Sequence, residues 1–126
     1  MQKAVLGVIL GLATFLAVSF VAKAAQSFDA KGFQEAQAAG QTILIHVTAP
    51  WCPTCRLQHP IVQSIEKERP ALLVYDVDFD SGKEILKQFR VQYQSTFVLF
   101  KGAKEVGRST GETNPDRIRA FVAQGF

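Results

Sequence analysis

Cysteine is nearly missing from this sequence. Two occur in 126 residues, both within the stretch TAPWCPTCR at 48–56. That leaves room for one cysteine pair and no more. With two histidines and no second Cys or His cluster, a closed four-ligand zinc site is also unfurnished. Charge of either sign is in short supply, at +3 net. Residues 1–24 hold two of the 14 basic side chains, Lys3 and Lys23, and none of the 11 acidic ones. The remainder carries 12 against 11, a net charge of +1. No Lys/Arg cluster forms a stripe for a phosphate backbone, which excludes nucleic acid as a partner. Internal repeats and low-complexity tracts are absent as well, and the length suits one compact domain.

What is present in abundance stands first. MQKAVLGVILGLATFLAVSFVAKA, residues 1–24, has one charge at Lys3 and then an apolar run from Ala4 to Ala22. Ala22-Lys23-Ala24 offers the small-x-small pattern that signal peptidase accepts. We expect an export signal at 1–24, a folded domain at 25–126, and a periplasmic location. The run is close to the ~20 residues of a membrane span, so an uncleaved anchor over residues 4–22 is the alternative. Either way the domain lies outside the cytoplasm, where thiols are commonly oxidised.

The domain alternates helix and strand patterns. SFDAKGFQEAQAAGQ reads as a short amphipathic helix, with Asp29 near its start and Gly40 past its end. TILIHVTA is apolar and β-branched, as in a strand buried on both faces. CPTCRLQHPIVQSIEKER then reads as a helix, with Pro53 in its first turn, Pro60 kinking its middle and Pro70 stopping it. ALLVYDVDF is a second buried strand and SGKEILKQFR another helix. STFVLFK and KEVGRST form a hairpin about Gly102-Ala103. Thr113 or Asn114 caps a last helix running to about Ala123. A right-handed βαβ crossover makes the first two strands parallel. The expected fold class is α/β, a mixed sheet of about four strands with helices on both faces.

The cysteines sit where a strand ends and a helix begins. Unpaired N–H groups and the helix dipole stabilise a thiolate at such a point. Cys52, at the helix start and exposed there, is the candidate nucleophile. Cys55, one turn further in, is suited to resolving a mixed disulfide. Thr54 adds a hydroxyl within reach of the sulfur. Pro53 contributes no donor, which leaves the Thr54 and Cys55 amides. Three readings of the pair remain open from the residues alone: a redox couple, half of a metal site, or a structural disulfide. A structural disulfide would close a loop too small to constrain the unfolded chain. Cys52, Cys55 and His59 have suggestive metal spacing but lack a fourth ligand. Copper(I) accepts two thiolates, so a copper(I) carrier is the non-enzyme alternative.

From Phe28 to about Phe121 the chain resembles the thioredoxin superfamily. The marks are Trp51-Cys52-x-x-Cys55, Pro60, the DVDFD strand end from Asp76 to Asp80, STFVLFK, and Gly111 after the hairpin. The resemblance implies a thioredoxin-like fold, a redox-active Cys52–Cys55 disulfide and protein thiol–disulfide exchange, in the direction of disulfide reduction. It calls for no cofactor and no metal, because the dithiol carries the two electrons. It also implies cysteine-containing exported proteins as partners, a membrane redox protein that resets the dithiol, and a monomer. The family's first strand, ahead of the opening helix, is missing from the pattern.

The departures are specific. Pro53-Thr54 between the cysteines is neither the Gly-Pro of ordinary thioredoxins nor the Pro-His of strong periplasmic oxidants. The family's buried carboxylate, six residues before the first cysteine, is here His46, and its lysine partner corresponds to Asp76. The two are expected to be neighbours, with His46 accepting a proton and Asp76 orienting it; a core histidine bonded to backbone is the plainer alternative. The family's cis-proline corresponds to Ser95, between Gln94 and Thr96. A non-proline cis bond costs ~3 kcal/mol, so Gln94-Ser95 is expected trans, with the hydroxyl facing Cys52. Trp51 is expected to lie as a lid beside the cysteines, His59 to be solvated, and Asp78 and Asp80 to cap.

Overall fold

The computed structural model describes residues 24–126. The expected export segment therefore lies, apart from Ala24, outside the described residues. Among those described, no helix is long and apolar enough to cross a membrane.

Nine elements follow in the order β1 (Gln26–Ser27), α1 (Ala30–Ala38), β2 (Thr42–Thr48), α2 (Pro53–Glu68), β3 (Leu73–Asp78), α3 (Lys83–Phe89), β4 (Thr96–Lys101), β5 (Lys104–Thr110) and α4 (Pro115–Ala123). They form one five-stranded sheet in the order β1-β3-β2-β4-β5. β1 and β2 run parallel to β3, whereas β4 runs antiparallel to β2 and β5. Four strands were expected. The fifth, β1, is only two exposed residues that carry no apolar pattern, and pairing with Tyr75 and Asp76 alone makes it a strand.

Alternation along the central strands divides the core. Ile43, Ile45 and Val47 point to one face, where Phe33 and Ala36 of α1 and Leu86 and Phe89 of α3 cover them. Leu44 points to the other, with Val62 and Ile65 of α2 and Ile118 and Val122 of α4. His46 falls on this second face in place of an apolar residue, and it is fully buried. In-register pairing sets it beside Asp76 of β3 and Phe97 of β4.

The helix ends follow local chemistry. The Asp29 carboxylate accepts from the Gly32 amide at 2.9 Å, and Asn114 caps α4 through the Arg117 amide at 3.0 Å. Arg90, left-handed at φ 54°, ends α3, and the Arg108 guanidinium donates to the Phe89 carbonyl there at 2.9 Å. α2 runs on through Pro60.

Candidate active site

The sheet brings the ends of β2 and β3 to one edge, and α2 starts there. Cys52 is the N-cap of α2, with extended backbone at φ −88° and ψ 111°. Its sulfur accepts from the Cys55 amide at 3.1 Å, as a capping oxygen would. Cys52 and Cys55 are joined as a disulfide. Both are buried, Cys52 only 1% exposed, against the expectation of an exposed sulfur. Ala49 and Phe79 pack over them.

Ser95 faces this pair from the loop before β4. Its hydroxyl lies 3.3 Å from Cys52 Sγ and 3.5 Å from Cys55 Sγ. No described peptide bond is cis, so Gln94-Ser95 is trans, and Ser95 takes φ 60°. A non-glycine residue there stores about 1–3 kcal/mol of strain. The surroundings hold it in place: its N–H donates to the Val47 carbonyl at 2.8 Å, and its carbonyl accepts from the Gly111 amide at 3.0 Å. Gly111, at φ 78°, is where that conformation is free of penalty. The flanking Thr96 hydroxyl donates to the Tyr93 carbonyl at 2.7 Å, and Gln94 is half-buried. The bonds to Cys52 Sγ among the described residues come from Cys55 and Ser95. Thr54 supplies neither the hydroxyl nor the amide bond expected of it.

Pro53 and Trp51 form the outer rim, both exposed. Trp51 is pinned there by its indole N–H, which donates to Asp80 Oδ2 at 2.7 Å, and by the edge of Phe79. Asp78 accepts from the Ser81 and Asp80 amides and the Ser81 hydroxyl, which holds its carboxyl below the usual range.

Beneath the disulfide lies a buried polar cluster. His46 Nδ1 stands 3.6 Å from Asp76 Oδ1, and neither atom has a hydrogen-bond partner. His46 Nε2 is 2.9 Å from Gln58 Oε1, and Gln58 Nε2 donates to the carbonyls of Ser95 at 3.1 Å and Glu112 at 3.0 Å. His59 is not solvated: half-buried, it bonds the Thr48 hydroxyl at 2.9 Å, and its ring lies tilted against that of His46 with centroids 5.0 Å apart. Burial holds its pKa below the ordinary 6.5, His46 lowers it further, and Asp76 opposes both. Glu66 is 4% exposed with both carboxylate oxygens unpartnered. Burial pushes its pKa up, Asp76 adds to that, and the nearby Ala25 amide offsets part of it. Gln58 and Glu66 escaped the sequence reading, and His59 was placed in solvent, because a polar residue on an amphipathic helix looks like solvent face. Among the described residues, no group of three or more His, Cys, Asp or Glu side chains is arranged to hold a metal ion.

Residues 21–124 match the thioredoxin family model. The chain belongs to the thioredoxin family. It is 35% identical to a buckwheat (Fagopyrum esculentum) H-type thioredoxin over 71% of this chain and 78% of the relative. It is 30% identical to the thioredoxin of Chlamydia trachomatis over 79% of this chain and 96% of that one. Among solved structures, Trxlp of Edwardsiella tarda superposes with a TM-score of 0.74 at 37% identity, covering 79% of this chain and 98% of the other. Family membership and the disulfide together make this thioredoxin a thiol–disulfide oxidoreductase acting on protein disulfides.

Proposed function

We propose that this thioredoxin works outside the cytoplasm as a reductase of disulfides in exported proteins. The observation that carries the chemistry is Cys52 Sγ at the α2 N-cap, accepting from the Cys55 amide and lying 3.3 Å from the Ser95 hydroxyl. Both donors favour the thiolate over the thiol. The Cys52 thiolate attacks one sulfur of the substrate disulfide, forming a mixed disulfide and expelling a substrate thiolate. The Cys55 thiol then loses its proton, and its sulfur attacks Cys52. The substrate's second thiolate leaves, and the Cys52–Cys55 disulfide has received the bond. Two electrons pass to the substrate. His46 accepts the Cys55 proton by way of water, and Asp76 Oδ1, 3.6 Å from Nδ1, then faces the imidazolium.

The apolar segment at 1–24 with its Ala22-Lys23-Ala24 end supports the location. A membrane redox protein resets the dithiol, and the protein acts as a monomer. Cys55→Ser, expressed from the full gene, should accumulate mixed disulfides on Cys52 with exported proteins, while Cys52→Ser traps nothing and is inactive. Trapping confined to cytoplasmic proteins would overturn the location. Activity retained in Cys52→Ser would overturn the nucleophile.

A further inference from the structure

Gln58 joins two parts of the site that otherwise do not touch. One end of its amide meets the His46 ring, and the other meets the carbonyls of Ser95 and Glu112. The side chain is fully buried, so water does not compete for these bonds. Its orientation follows from chemistry alone. A backbone carbonyl only accepts, so the amide end facing two carbonyls must be the NH2. The opposite end is then the oxygen, which only accepts. His46 must therefore donate to it from Nε2.

We infer that Gln58 is a positioning residue that fixes His46 in its Nε2–H tautomer and ties the ring to the loop bearing Ser95. In the neutral ring, Nδ1 is then bare and faces Asp76 Oδ1 at 3.6 Å, with no other partner for either atom. That arrangement has room for one proton, on Nδ1, where the imidazolium meets a carboxylate. The opposite tautomer would fill the gap at Nδ1 in advance and leave Nε2 with nothing to give Gln58. The other titratable group facing the ring is His59 from α2, and β4 offers only Phe97. Glu66, also on α2, acts on Asp76.

The second half concerns Ser95. Its carbonyl has two donors, the Gly111 amide and Gln58 Nε2. Together with the Val47 bond they hold a φ of 60° that keeps the hydroxyl at both sulfurs. The same amide thus positions a proton acceptor and a sulfur ligand. The first half of this role rests on the reading of His46 and Asp76 as the proton site.

Nitrogen-15 NMR of the oxidised full-length chain, at a pH where His46 is neutral, tests the tautomer in the unaltered protein. The proton is expected on Nε2, and a neutral ring protonated on Nδ1 would overturn the assignment. Gln58→Met, similar in volume with neither donor nor acceptor, should shift the proton to Nδ1, toward Asp76. Release of a chromogenic thiol from its mixed disulfide with Cys52 should slow roughly tenfold, part of the ~100-fold or more a positioned base supplies. Its pH profile should also change. Gln58→Glu keeps an oxygen for His46 and should keep the Nε2–H tautomer. Wild-type tautomer and pH profile in Gln58→Met would end the positioning role. If instead His46→Ala leaves thiol release unchanged, the proton-site reading fails while the tautomer assignment stands.

Discussion

Ser95 differs from the family's proline in more than its ring. Its N–H is engaged with Val47 and its φ is positive, whereas proline has no N–H and a φ fixed near −65°. A Ser95→Pro exchange would therefore force the loop to rebuild. Glycine is the substitution that leaves the backbone in place. Ser95→Gly should match or exceed wild-type stability in urea, because glycine takes φ 60° without strain. It should also lower the alkylation rate of reduced Cys52 at fixed pH about tenfold, the worth of one hydrogen bond to a charged group. An unchanged rate would show that the hydroxyl does not serve the thiolate. At this scale the sequence was informative where spacing carries chemistry. Cys52 and Cys55 could be named from their spacing, and His46 and Asp76 from the resemblance to the family alone. Gln58 could not, because its significance depends on two carbonyls 37 and 54 residues away.

Among the elements, α2 carries conflicting demands, because its inner face holds Gln58, His59 and Glu66 beside Asp76. The pH dependence of stability follows from two of these groups, with opposite signs. The folded pKa of His59 lies below 6.5, so its contribution is complete above 6.5 and is lost as pH falls toward the lowered folded value. The folded pKa of Glu66 lies above 4.5, so its contribution is complete below 4.5 and is lost as pH rises through the raised value. Glu66→Gln should therefore raise the urea midpoint at neutral pH and converge with wild type below about pH 4.5. His59→Gln should flatten the loss on the acid side of 6.5. Parallel curves for wild type and Glu66→Gln would refute the buried charge. Element type was readable wherever burial imposes an apolar, β-branched run, as in TILIHVT and LVYDVD. β1 was not, since two exposed residues have no period to read.

For the molecule as a whole, the face away from the cysteines' helix is an aromatic cluster. Phe33 of α1 meets Phe28, Phe89 and Phe100 with centroids 5.3–5.4 Å apart, and Tyr75 at 6.4 Å. Edge-on and tilted contacts of this kind join α1, β3, α3 and β4. Phe33→Ala should cost about 3–5 kcal/mol, a large part of the ~5–15 kcal/mol that holds a domain folded. Urea denaturation should show a lower midpoint with an unchanged slope. A loss under ~1 kcal/mol would mean that the cluster collapses to fill the gap.

β1 also decides which way the molecule looks. It runs parallel to β3 with Gln26 level with Tyr75, so the backbone enters at Ala25 abreast of Val74. The sulfurs lie past the opposite rim, beyond Thr48 and its neighbour Asp78. Four strand residues separate the two levels, about 13 Å at ~3.3 Å each. Were residues 4–22 to stay in place as the anchor proposed as the alternative, the tether would join the domain at the end of the sheet away from the redox pair, and the sulfurs would face away from the point of attachment.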